Sequence, residues 1–128
     1  MSYSELVRDH YDNPRNVGAL DKNDPHVGTG VAGAAARGSL IRLQIKADPQ
    51  TLAIEDAKFK TFGCGFSIAA SSLVTEWLKG RTLEQARAIT PEQIAEELAL
   101  PPEKFYCAAL AEEAIQAAIQ DFEQKQIA

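Results

Sequence analysis

A chain of 128 residues, 45% hydrophobic and 24% charged, has the size and balance of one globular domain that can bury its own core. Thirteen basic residues against eighteen acidic ones leave a net charge of −5, which argues against a general nucleic-acid binder, since that needs a basic footprint. No apolar run approaches the roughly 20 residues that cross a bilayer, and the N-terminus has no apolar signal segment, so a cytoplasmic protein with no membrane role is expected.

Ser2 and Glu5 have capping-box spacing, and Leu6, Val7, His10 and Tyr11 give a short first helix one apolar side. Asn13-Pro14 ends it, because the residue before proline is pushed out of the α region. Residues 17–38 are rich in Gly and Ala and read as loop with one poorly marked strand near 29–36. In 40–47, Ile41, Leu43 and Ile45 alternate with Arg42, Gln44 and Lys46, and in 54–62, Ala57 and Phe59 alternate with Asp56, Lys58 and Lys60. The short Asp48-Pro49-Gln50-Thr51 turn between them predicts an antiparallel hairpin, and its polar face predicts a sheet covered on one side only.

From Phe66 the period becomes helical, through Ala69, Leu73, Val74 and Trp77 to a stop at Gly80. Thr82 with Gln85 caps a helix over 83–88, and Thr90, Pro91 and Gln93 cap another over 91–98. Leu100-Pro101-Pro102-Glu103-Lys104 is a rigid break before a final helix from about 103 to 125, with Ala111, Ile115, Ala118 and Phe122 along one stripe and its Glu and Asp residues on a solvated face. The order predicts an α+β fold: a small antiparallel sheet of about three strands, helices on one face and a long C-terminal helix, all in one domain over 1–128.

Chemistry concentrates on the two cysteines. Cys64 lies between two glycines where a strand hands over to a helix, and Cys107 lies near the start of the last helix. A helix N-terminus favours the thiolate, the form that attacks sulfur and binds metals, and Lys104 adds a positive charge near Cys107. The competing reading of each is a small buried hydrophobe. His10 and His26 read as packing or surface residues, and Ser71-Ser72 has no nearby His-Asp pattern to activate it.

Longer motifs carry a resemblance. Tyr3-Ser4 with Asp9-His10-Tyr11-Asp12-Asn13-Pro14-Arg15-Asn16-Val17-Gly18 resembles the opening of the IscU/NifU-type iron–sulfur cluster assembly scaffolds. So do Phe59-Lys60-Thr61-Phe62-Gly63-Cys64-Gly65, Ala70-Ser71-Ser72-Leu73-Val74-Thr75-Glu76-Trp77 and Ile94-Ala95-Glu96-Glu97-Leu98. Leu100-Pro101-Pro102-Glu103-Lys104 is similar to the family's chaperone-recognition segment, with Glu103 in place of an apolar residue.

The resemblance implies a scaffold rather than a turnover enzyme. It would receive sulfur from a cysteine desulfurase, build a [2Fe–2S] cluster on three clustered cysteines, an Asp and a His, and pass it on with a heat-shock chaperone and its co-chaperone. By that resemblance Cys64 and Cys107 are the second and third cysteines, and the third also accepts persulfide sulfur. The first cysteine position holds Arg37, the aspartate position Ser39, and the histidine position Tyr106.

Two thiolates alone do not complete a cluster or zinc site, which usually takes four ligands, and Arg37 is a permanent cation. The isolated monomer is therefore expected to hold neither an iron–sulfur cluster nor zinc. Three readings stay open. A homodimer pools Cys64 and Cys107 of both copies around one cluster; or the chain is a cluster-free adaptor that accepts sulfur and binds partners through Leu100, Pro101, Pro102 and Lys104; or it is a thiol protein with a reversible disulfide. The first and last helices, the hairpin and the four residues Arg37, Cys64, Tyr106 and Cys107 give the fold its testable content: the last four are expected at one end.

Overall fold

The structure is a computed structural model that describes residues 3–127. Three strands, β1 (Val27–Ala34), β2 (Ser39–Ala47) and β3 (Ile54–Phe62), form an antiparallel sheet in sequence order. Five helices accompany it: α1 (Glu5–Asp12), α2 (Gly65–Leu78), α3 (Leu83–Arg87), α4 (Pro91–Leu98) and α5 (Phe105–Ile127). This is the α+β arrangement that the change of period at residue 65 predicts.

Register explains the covered face. Ala32, Ile41 and Thr61 stand in one row, and Gly30, Leu43 and Phe59 in the next. Ile41, Leu43, Ile45 and Phe59 are buried with Ala69, Ala70 and Val74 of α2 and Ala111, Ile115, Ala118 and Phe122 of α5. α5 runs along β1, and α2 along β3. Trp77 is half-buried against this core, with the Arg81 guanidinium 5.8 Å from its ring.

Strand β1 starts earlier than its composition indicates. Its glycines are there for α5: a Cβ on Gly28 would stand 2.1 Å from the Ala118 carbonyl oxygen, and one on Gly30 would stand 2.4 Å from that of Ala114. Residues that weaken the strand signal are thus required by the helix above it. Ala34 closes the strand, and a 3₁₀ turn over Ala35–Arg37 leads through Gly38, at φ +88°, into β2.

Four local expectations change. Ser2 lies outside the described residues, and the α1 N-cap is Ser4, whose hydroxyl accepts from the Val7 N–H at 3.1 Å and donates to the Leu98 carbonyl at 2.7 Å. The outer sheet face is partly covered. Gln44 is buried there, accepting from the Leu20 N–H at 2.8 Å and donating to the Thr29 hydroxyl at 3.0 Å. The final helix begins at Phe105, because Pro102–Lys104 forms a 3₁₀ turn with Lys104 N–H bonded to the Pro101 carbonyl. Asp121 is also more than part of a solvated face, since its carboxylate accepts from the Thr29 N–H at 2.8 Å and so fastens α5 to β1. Among the described residues no helix is long and apolar enough to cross a membrane.

Candidate functional site

Cys64 is the N-cap of α2, reached from β3 through Gly63, whose φ of +158° is extended backbone. Cys107 is the third residue of α5. The packing of α2 against α5 brings the two together: their Sγ atoms are 3.9 Å apart. Ser67, one turn into α2, joins them. Its hydroxyl donates to Cys107 Sγ at 3.3 Å and lies 3.6 Å from Cys64 Sγ.

The two thiols differ in access. Cys107 is 0% exposed, whereas Cys64 is half-buried. They also differ in acidity. Burial opposes ionisation of Cys64, but the Ser67 N–H and hydroxyl and the Phe66 N–H outweigh it, so the thiol ionises below its ordinary range. No formed cap hydrogen bond reaches this sulfur, so the N–H groups act through the partial positive charge of the helix start. At Cys107 burial wins over the Ser67 hydrogen bond and pushes the thiol up. The activating effect expected at the start of α5 is thus reversed by desolvation. Lys104 serves the other cysteine as well: the negative charge of Cys64, then that of Tyr106, raises its pKa above the ordinary lysine value.

The other three positions share one cavity. Arg37, Ser39 and Tyr106 line one cavity of about 270 Å³ with Gly33, Leu110 and Glu113. Arg37 comes from the 3₁₀ turn, Ser39 from the start of β2 and Tyr106 from the start of α5. Ser39 stands beside Gly63, where an added Cβ would lie 3.2 Å from its hydroxyl oxygen and 3.4 Å from Ser67 Cβ. Cys107, then burial, pushes the Tyr106 phenol up. Lys104 Nζ is 5.6 Å from the Phe66 ring and 5.7 Å from the Tyr106 ring, a cation held over two aromatic faces.

Leu100, Pro101, Pro102 and Lys104 are less uniformly exposed than a docking loop would be. Pro102 and Glu103 face solvent, while Leu100, Pro101 and Lys104 are half-buried and Leu100 packs on the core. Ala99, at φ +51°, turns the chain from α4 into this segment.

Sequence reasoning missed two residues. Ser67 is three positions after Cys64, the spacing of an N-cap partner, and that signal was available. Ser72 has no histidine near it in sequence, yet its hydroxyl lies 2.7 Å from His10 Nδ1, with Glu76 3.4 Å from Nε2. Both His10 and Ser72 are buried, so this chain of hydrogen bonds holds α1 on α2 and offers no accessible nucleophile.

The donor set was then compared with what a metal requires. Among the described residues no three of His, Cys, Asp and Glu converge on one point. The two sulfurs stand with the Ser67 hydroxyl, while Arg37, Ser39, Tyr106 and Glu113 line the cavity, and among the described residues no third thiolate, imidazole or carboxylate joins the sulfurs. That set does not suit zinc or cluster iron, which favour thiolate, imidazole and carboxylate ligands.

A family model described as "NifU-like N terminal domain" matches residues 2–128. The chain belongs to the NifU-like N-terminal domain family. Within it, the chain is 63% identical over 125 residues to the Iron-sulfur cluster assembly scaffold protein IscU of Azotobacter vinelandii, covering 98% of this chain and 97% of that protein. It is 58% identical over 125 residues to the protein of the same name from Escherichia coli K12, again covering 98% and 97%. A solved NifU-like N-terminal structure from Brucella abortus superposes with a TM-score of 0.75 at 16% identity, covering 95% of this chain and 94% of that one, and so shares the fold. The NifU-like fold is therefore retained.

Proposed function

We propose that this protein is a divergent scaffold-like component of iron–sulfur cluster assembly that docks pathway partners and accepts sulfur, and that its isolated monomer does not hold a cluster. The observation that carries this reading is a contrast. Identity to named IscU scaffolds runs along nearly the whole chain, while Arg37, Ser39 and Tyr106 line one cavity and two thiols 3.9 Å apart are the chain's only cysteines. A cluster is cargo for such a protein, and here two thiols are the whole of its soft donor set.

Cys64 is the group that receives sulfur in this reading, because it is reachable and the α2 start favours its thiolate. A cysteine desulfurase is the donor that the resemblance implies. A heat-shock chaperone and its co-chaperone are the partners for 100–104, with Pro102 and Glu103 as the accessible part of that segment. The protein acts in the cytoplasm, as one domain. The dimer-shared cluster is disfavoured by the burial of Cys107: a second copy cannot share a ligand that is 0% exposed unless α5 moves away from α2.

Anaerobic reconstitution with ferrous iron, cysteine and a cysteine desulfurase tests this, followed by iron, sulfide and persulfide analysis of the sized protein. Sulfane sulfur on a monomer with little iron is expected. A stable cluster with about two irons per chain or per dimer would contradict the reading.

A further inference from the structure

One face of α5 borders open space. Tyr106, Ala109, Leu110 and Glu113 follow one another at helical spacing, and each is half-buried or exposed, whereas Cys107, Ala108, Ala111 and Ala114 beside them are buried. These four residues form one wall of the cavity of about 270 Å³, and the end of β1, the 3₁₀ turn and the start of β2 form the other. Gly33 keeps the two walls apart. At its φ of +85° an added Cβ would stand 2.4 Å from the Ser39 carbonyl oxygen and 3.5 Å from Leu110 Cδ2.

The cavity carries one charge of each sign. The Arg37 guanidinium comes from the 3₁₀ turn, and the Glu113 carboxylate comes from α5, two turns beyond Tyr106. Among the described residues neither joins an ion pair, with the other or with a third group. We propose that this cavity binds a free α-amino acid with a small uncharged side chain, its carboxylate on Arg37 and its ammonium on Glu113.

Each wall matches one part of such a ligand. A guanidinium presents a planar fork of donors that suits a carboxylate, and a carboxylate accepts from an ammonium. The buried Ser39 hydroxyl and the Tyr106 phenol offer further hydrogen bonds to the ligand's polar end. Ala109 and Leu110 give a short aliphatic side chain an apolar wall. The volume is below the roughly 300–1,000 Å³ of drug-sized sites, which favours a ligand of few atoms. Charge sets the selectivity. A phosphate or a dicarboxylate brings excess negative charge against Glu113, and a polyamine or a divalent cation brings positive charge against Arg37. Among the described residues neither cysteine lines this cavity, so the proposal goes beyond the sulfur-accepting reading and does not depend on it.

The test titrates the full chain, ¹⁵N-labelled, reduced and metal-free, with L-alanine and L-valine while amide shifts are followed by NMR. Propionate, which lacks the ammonium, and propylamine, which lacks the carboxylate, are titrated beside them. Saturable shifts over residues 33–39 and 105–113 are expected, with a Kd of about 1 mM or below. Propionate and propylamine should each bind about tenfold more weakly or worse, since each leaves one charged contact unmade. Arg37→Gln and Glu113→Gln, both at exposed positions, should each weaken L-alanine binding by a similar factor while amides of β2 and β3 away from the cavity keep their positions. The propionate and propylamine arms use the unaltered chain, so they test the two charges even where a variant fails to fold. Propionate binding as tightly as L-alanine would overturn the zwitterion assignment and leave an anion site only. Unchanged affinity in Glu113→Gln or Arg37→Gln would overturn the assigned contacts. No saturable shift with either amino acid would overturn the site itself, while sulfur acceptance at Cys64 would stand.

Discussion

His10 Nδ1 lies 2.7 Å from the hydroxyl oxygen of Ser72, sixty-two positions along the chain. That oxygen also accepts from the Arg15 N–H at 2.9 Å. We assign the ring as neutral, with Nδ1 accepting the Ser72 proton and Nε2–H facing Glu76. Burial, then the Arg15 charge, holds His10 below its ordinary value of 6.5, and Glu76 and Asp9 only partly oppose this. The unfolded chain therefore binds the His10 proton more readily than the folded one. The stability this group contributes is complete above 6.5 and is lost as the pH falls below it toward the folded value. Thermal melts from about pH 7.5 to 5.5 should show a falling Tm, and His10→Gln should flatten that slope. Equal slopes in both proteins would remove the assignment.

Thiol reactivity gives a second test. Cys64 should react with iodoacetamide well before Cys107, with a pH midpoint below that of an ordinary thiol. Ser67→Ala removes the hydroxyl that lies by both sulfurs and should move the Cys64 midpoint upward. Intact mass after timed alkylation reads this directly. A midpoint unchanged by the substitution would show that Ser67 does not govern the pair.

The approach of α5 to β1 makes a third. Gly28→Ala places a Cβ against the Ala118 carbonyl and Phe122, and backbone must move to admit it. Overpacking of this kind costs about 1–3 kcal/mol or more. Gly38→Ala meets nothing within 4 Å and carries only the strain of its φ of +88°, about 1 kcal/mol. Urea denaturation should rank Gly28→Ala as the more damaging change, and the reverse order would contradict the packing.

These cases show what the sequence made legible. Thr82 with Gln85 and Thr90 with Pro91 and Gln93 form the two capping boxes read from their spacing, because a cap is a contact within four residues. β2 and β3 follow their period of two. β1 was blurred because Gly28 and Gly30 answer to α5, a contact no local pattern encodes. At the site, the motifs pointed to Cys64 and Cys107, but the 0% exposure of Cys107 depends on how α2 packs on α5. His10 with Ser72, and Gln44 under Leu20, are likewise long-range pairings.

Partner docking is tested through the segment after α4. A peptide spanning 98–106 should bind the heat-shock chaperone that the resemblance implies, and Pro102→Ala in the full chain should weaken binding by loosening a stiff, exposed element. Fluorescence anisotropy reads both. No binding under conditions where a standard scaffold peptide binds would withdraw the segment from the account.

The central claim is that Arg37, Ser39 and Tyr106 have replaced a metal-binding set around two retained thiols. Its most direct measurement is the zinc content of the purified monomer, wild type beside the Arg37→Cys, Ser39→Asp, Tyr106→His triple variant, after equilibration with zinc and desalting. The account predicts almost no zinc on the wild type and close to one equivalent on the variant, which supplies the thiolate, carboxylate and imidazole ligands that zinc favours. A wild-type monomer that keeps close to one equivalent would contradict it.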